Sequence, residues 1–204
     1  MRNYLQNIMS NYSRILHDSR SWLRLAFQAF IAGIIIGVLS GVFHVQAVFD
    51  FLQTMLQDLS DLGTEAGTIG IVQRIFLIWQ NNLVAVMVMI FGGFLLGYIP
   101  FASLFANGLI LGLVSVMAVQ QKENIGLLLL SIVPHGIIEL PVLIWAGAAG
   151  MKLGLKWLRP ESKGKRKKVL NDTVLEGVTV MAACVVLLLV AAAIEGGLVF
   201  ELLK

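Results

Sequence analysis

Charge is what this sequence has least of. Only 13% of its 204 residues are Asp, Glu, Lys or Arg, about half the share in an ordinary soluble domain. With 58% hydrophobic residues and a mean hydropathy of +0.86, that shortage excludes an average soluble domain and leaves a membrane protein. Cysteine is nearly absent as well. Cys184, in the apolar run "VMAACVVLLLV", stands alone, so neither a disulfide framework nor a thiolate cluster can be built within one chain. It reads as a small packing residue. Catalytic signatures are missing too: there is no HExxH helix, no GxSxG elbow and no phosphate-cradling glycine loop. The N-terminus lacks a short apolar core followed by a small-residue cleavage site, so no cleaved signal peptide is expected. No direct or inverted repeat of the kind that announces a transporter is visible.

What charge there is sits unevenly. Arg2, Arg14, Arg20 and Arg24 precede or open the first apolar run, and eight more basic residues fall between Lys152 and Lys168. The connection between them, from about Val45 to Gln80, carries Asp50, Asp58, Asp61 and Glu65 against Arg74 alone. The positive-inside rule therefore puts the N-terminus and the 158–172 loop in the cytoplasm. Positive charge that topology already demands gives no reason to expect nucleic acid. The run from Lys163 to Lys168 is mainly a topology signal, with anionic lipid or a soluble partner as its functional options.

A span needs about 20 apolar residues at roughly 1.5 Å each. Five stretches qualify, at about 23–44, 82–97, 101–119, 125–158 and 174–200, which places the C-terminus outside. The expected fold is all-α, a polytopic transmembrane bundle following a cytoplasmic N-terminal segment 1–22. As a straight helix, 125–158 would be far longer than a hydrocarbon core of about 30 Å. Pro134 and Pro141 predict a broken or re-entrant segment there. Two stretches read as amphipathic helices lying on the membrane: the N-terminal one, with Tyr4, Leu5, Ile8, Tyr12, Ile15 and Leu16 on one face, and an outer one with Val48, Leu52, Met55, Leu59 and Leu62. Trp22, Trp79 and Trp157 stand where interfacial anchors would, and Trp145 is expected to be buried.

Glycines recur four apart: Gly33, Gly37 and Gly41; Gly93 and Gly97; Gly108 and Gly112; Gly150 and Gly154. Such faces let helix backbones approach closely. They predict a tight bundle, with a homodimer through one of them as an option.

Polar groups inside the spans carry the functional question. Asn82, His135, Glu139 and Glu195 are expected at one depth near the outer face. Ionisable groups in a span cost about 2.5–3.5 kcal/mol at its centre, so they face the bundle and take partners. One reading has them bond one another and hold helices together. A second makes His135, Glu139 and Glu195 a zinc site, since imidazole and carboxylates ligate zinc and His135-x-x-x-Glu139 puts two ligands on one helical face. A metal-activated water there would make an intramembrane hydrolase. A ligand-binding or proton-carrying cavity is the third reading. Asn107 is expected to bond a neighbouring helix.

"WQNNLVAVMVMIFGGFLLG", "FANGLILG", "VPHGIIELPVLIWAGAAGMKLG" and "AAAIEGG" together resemble the stage II sporulation protein M family of polytopic membrane proteins, from about Ile75 to Gly197. The resemblance implies a multi-span integral membrane protein. In endospore formers the founding member is a scaffold for engulfment that recruits or stabilises peptidoglycan hydrolases, a lytic transglycosylase and an amidase, and is not itself a known cell-wall hydrolase. Asn82, Asn107, His135, Glu139 and Glu195 match the family's polar signature, which brings no assigned chemistry. The expectation is thus a non-enzymatic membrane scaffold, possessing no catalytic residues, with zinc-binding and small-solute transport as the alternatives.

Overall fold

In lipid every backbone N–H and C=O must be bonded within the protein, so apolar runs of this length fold as helices. The computed structural model describes the backbone of residues 2–46, 48, 50, 70–120 and 125–199, and the side chains of these except 2–5, 7–9, 125–136 and 197–199. Helix α1 is Arg2–Asp18 and α2 is Arg20–Val42. Helix α3, Ile71–Phe91, runs into a 3-10 turn, Gly92–Phe94. Leu96 and Gly97, both at positive φ, reverse the chain into α4, Tyr98–Gln120. Helix α5 is Ile125–Leu155. Two short 3-10 turns and Gly164, at φ +81°, lead to α6, Arg166–Ala193, which ends in a π turn, Ile194–Val199. No strand occurs among the described residues. Five helices, over Arg20–Val42, Ile71–Phe94, Tyr98–Gln120, Ile137–Leu158 and Arg166–Gly196, are long and apolar enough to cross a membrane. The protein is an all-α polytopic bundle.

Helix α5 is the axis of that bundle. It packs against α2, α3, α4 and α6, and 67% of its span is buried, against 17–39% for the other four. Its small residues make this feasible: Ala146 and Ala148 are fully buried, and the Leu104 side chain lies over Gly147. The outer helices turn Phe27, Ile35, Leu39, Val88, Phe94 and Val186 outward, as a lipid-facing rim requires.

Two parallel helix pairs are closed by glycine. Gly33 lies on the backbone of Phe105 and Leu109, Gly37 on that of Leu109, and Gly41 on Val116, while Gly108 and Gly112 receive the carbonyls of Phe30 and Ile34. Positions rise together, so α2 and α4 are parallel. Gly93, Gly150 and Gly154 close α3 against α5 in the same way, with Gly150 against Met89 and Gly154 against the Gly93 carbonyl. Helix α6 runs antiparallel to α3, pairing Ile90 with Gly177 and Ile75 with Gly196. All four glycine faces are covered within the chain, so a homodimer through one of them, the option that the spacing left open, would have to displace these helix contacts. A backbone surface already in van der Waals contact cannot receive another helix.

Helix α5 is continuous across Pro134 and Pro141, where a break was expected. Each proline deletes one hydrogen bond of the ladder, and four neighbouring helices hold the rest in place; Pro141 also sits on an exposed face, where its ring displaces no neighbour. Helix α3 starts at Ile71 rather than near 82, so "QNN" lies inside the span. In its first turn Arg74 is buried and donates from Nη1 to the Gly196 carbonyl at 3.1 Å. Trp79 is no anchor but an interhelical donor, bonding the Val185 carbonyl at 3.1 Å. Trp22 is buried, with the Arg159 guanidinium 4.4 Å above its ring. Cys184 is fully buried in the core, as expected of a packing residue.

Helix α1 does not lie across the bundle. The Tyr12 hydroxyl donates to the Thr179 carbonyl at 3.3 Å and its ring meets Trp145 edge-on at 6.1 Å. Seven residues later Ser19 meets Lys152, which is itself seven residues past Trp145. Helix α1 therefore touches the bundle at Tyr12 and again at Ser19, and joins α2 at an elbow at Ser19. The outer amphipathic stretch with Leu52, Met55, Leu59 and Leu62 lies outside the described residues.

Candidate functional site

Two sets of buried charge occupy opposite ends of the bundle. At the end formed by Ile71 and Gly196, Arg74 of α3 is 3% exposed and Glu139 of α5 is wholly buried. Register brings them near one level. Met89 lies against Gly150, so in parallel helices Glu139, eleven residues back, falls beside Ile78, about one turn from Arg74. Glu195 is half-buried in the π turn, next to the Gly196 carbonyl that Arg74 holds. A π turn widens the helix and leaves carbonyls displaced from the α ladder; Arg74 supplies a donor to one of them. The structure thus places the Arg74 guanidinium about one turn from the level of Glu139 and on the carbonyl of the residue next to Glu195.

The remaining expected residues separate. Asn82 is half-buried on α3, two turns further into the bundle than Arg74. Asn107 is exposed and its Nδ2 donates to the Ser103 carbonyl of its own helix at 2.8 Å, not to a neighbouring helix. The reason is the adjacent glycine face: Gly108 turns toward α2, which leaves Asn107 on the side where its own backbone is the nearest acceptor. The side chain of His135 lies outside the described residues. Among the described residues no three His, Cys, Asp or Glu side chains gather as a metal set.

Arg74 is a residue that sequence reasoning counted only as a lone cation in an acidic connection. Its signal was position, four residues into an apolar run that begins at Ile71. We expect Arg74→Leu to lower stability by about 2 kcal/mol, the scale of a hydrogen bond to a charged group whose buried acceptor is then orphaned. Denaturant titration of the purified protein in detergent, followed by tryptophan fluorescence, checks this.

The second set was not anticipated. Lys152 of α5, counted in the sequence with the basic residues up to Lys168 near the end of its span, is 2% exposed. Its ammonium pairs with the Glu176 carboxylate of α6 and donates to the Ser19 hydroxyl at 3.1 Å. Ser19, itself buried, is the elbow between α1 and α2. One lysine therefore ties the elbow to two spans. Its sequence signal was weak but present: Lys152 interrupts "AAGMKLGL", and Glu176 stands among apolar residues in "TVLEGVTV". By contrast, Lys163, Lys165, Arg166, Lys167 and Lys168 are all exposed, a solvated basic surface at that end of the bundle.

The profile of stage II sporulation protein M matches residues 26–198, from the first turns of α2 into the π turn. An uncharacterized protein of Methanocaldococcus jannaschii is 26% identical over 118 residues, covering 58% of this chain and 66% of that protein, so the alignment spans just under two thirds of that relative's length. No solved structure matches the chain.

Proposed function

The chain belongs to the stage II sporulation protein M family, and from that membership we propose that it is a non-enzymatic membrane scaffold that recruits or stabilises peptidoglycan-remodelling proteins of the cell envelope. The observation that carries this reading is how the interior is used. Glycine faces close α2 on α4 and α3 on α5 backbone to backbone, and the buried cations are engaged within the chain, Lys152 by Glu176 and Ser19, Arg74 by the Gly196 carbonyl. Transport needs a wet path lined by such groups; a bundle tied shut by them favours a partner bound from outside. Partners then have the bundle ends and the lipid-facing rim to recognise, and the exposed Lys163–Lys168 surface offers anionic lipid or an acidic soluble protein a docking point.

The test is crosslinking in native membranes followed by identification of captured proteins. Envelope hydrolases, captured by the intact chain and lost when the exposed loop or far end is substituted, are the expected result. A bundle that captures none of them, and that moves a solute in sealed vesicles, would overturn the scaffold reading.

Orientation is part of the proposal: the Lys156–Lys168 end faces the cytoplasm and the C-terminus lies outside. Cys184 is buried, so the unsubstituted chain is expected to give little background with a membrane-impermeant thiol reagent. Lys163→Cys is then expected to be labelled only after the membrane is opened, and a cysteine following Lys204 in intact cells or spheroplasts. The reverse pattern inverts the topology.

Zinc at His135, Glu139 and Glu195 has a competitor in place, because Arg74 already brings a fixed positive charge to the residue beside Glu195. Elemental analysis separates the two arrangements. Stoichiometric zinc that disappears in His135→Ala would place a metal there.

A further inference from the structure

The elbow between α1 and α2 opens a cleft lined by Tyr12, Ser13, Leu16, His17, Arg20 and Leu23. We infer that this cleft holds one anionic phospholipid, its phosphodiester at Arg20 and the upper part of an acyl chain between the two helices. The cleft is graded along its depth. Arg20 stands at the apex, immediately after Ser19, and is exposed. One turn away on each leg are Leu16 of α1 and Leu23 of α2, and a further turn along α1 is Tyr12, whose hydroxyl reaches the Thr179 carbonyl inside the bundle. An exposed cation at the apex, with Leu16, Leu23 and the Tyr12 ring along the two legs beside the polar Ser13 and His17, is the chemistry of a phospholipid headgroup above its chain.

The electrostatics point the same way. Arg14, Arg20 and Arg24 surround the elbow, and Asp18, the carboxylate beside the cleft, is paired with His17 at 3.7 Å. Arg14 is directed to the Asn11 side-chain oxygen, which leaves Arg20 as the cation lining the cleft. Depth is set by the elbow itself. Ser19 is held by Lys152 of α5, so Arg20 stays at one level, and the seven residues of α1 back to Tyr12 extend about 10 Å toward the bundle interior, enough for the upper half of an acyl chain. This site is distinct from the exposed basic surface at Lys163–Lys168.

The experiment is lipid retention by the full chain, extracted from nanodiscs of phosphatidylcholine containing a minority of phosphatidylglycerol and weighed by native mass spectrometry. Phosphatidylglycerol is expected to be retained in preference to phosphatidylcholine. Arg20→Gln should lower that preference about five-fold, the factor that one cationic contact to an anionic lipid carries. A variant with Lys163, Lys165, Lys167 and Lys168 all changed to Gln should keep it. Should Arg20→Gln fail to fold, the unsubstituted chain still decides: phosphatidylglycerol with very short acyl chains is expected to be lost. Equal retention of both lipids, a preference unchanged in Arg20→Gln or lost only in the loop variant, retention indifferent to chain length, or displacement by glycerol phosphate would each overturn the proposal, the last by identifying a site for a soluble phosphate instead.

Discussion

Gly37→Leu is expected to unseat α2 from the bundle. A Cβ at Gly37 would already fall well inside van der Waals contact distance of the Leu109 carbonyl oxygen, and on the facing helix Gly108 and Gly112 lie about as close to the Phe30 and Ile34 carbonyls. Overpacking usually costs about 1–3 kcal/mol because side chains and backbone share the adjustment. Here the obstructing atoms are backbone on both sides, so no rotamer change relieves the overlap, and the upper end of that range or beyond is expected. Helix association within a membrane draws on close packing rather than on hydrophobic drive, so separation of α2 and α4 loses the contact without a compensating gain. Gly37→Ala should be destabilised in the same direction by a smaller amount. Gly70, with nothing within 4 Å of a Cβ built on it, supplies the control, and Gly70→Ala should melt with the unsubstituted protein. Thermal unfolding in detergent, scored by the monodisperse fraction remaining, reads all three. A Gly37→Leu protein as stable as the parent would refute the backbone-to-backbone packing of α2 and α4.

Glu176→Leu is expected to cost nearly as much, and more than Lys152→Met. Removing one partner of a buried ion pair leaves the other charge uncompensated, at about 3–5 kcal/mol for a fully enclosed pair. The two sides are not equally enclosed: the Lys152 side chain is 2% exposed and that of Glu176 25%. An orphaned Glu176 retains access to polar surroundings, whereas an orphaned Lys152 keeps only the Ser19 hydroxyl and must shed its proton or draw water inward. The double variant Lys152→Met, Glu176→Leu should recover much of the loss, because an apolar pair of similar volume has no desolvation cost to offset. A double-mutant cycle on unfolding free energy measures the coupling. Strictly additive single effects would mean that the pair contributes nothing.

The same lysine shows where local pattern stops informing. Lys152 was countable as one of the eight basic residues up to Lys168, and by composition it belonged with them. Its partners are Glu176, twenty-four residues on, and Ser19, 133 residues back. Asn107 fails in the opposite sense. Its place among apolar residues predicted a partner on another helix, and it bonds its own because the glycine beside it had already committed the interhelical face. Glu139, a carboxylate in an apolar run, is wholly buried on the central helix.

Hydropathy and run length by themselves determined that the chain is an all-α membrane protein and approximately where it spans, since those properties are additive along the chain and act on each segment separately. The family was legible for the same reason, in short motifs that stay contiguous. Pairing was a matter for tertiary structure alone. Which glycine face meets which backbone, whether two prolines break α5, how deep α1 runs and which cations are interior each depend on an atom supplied by another helix, and the free energy of that contact exists only once both helices are in place.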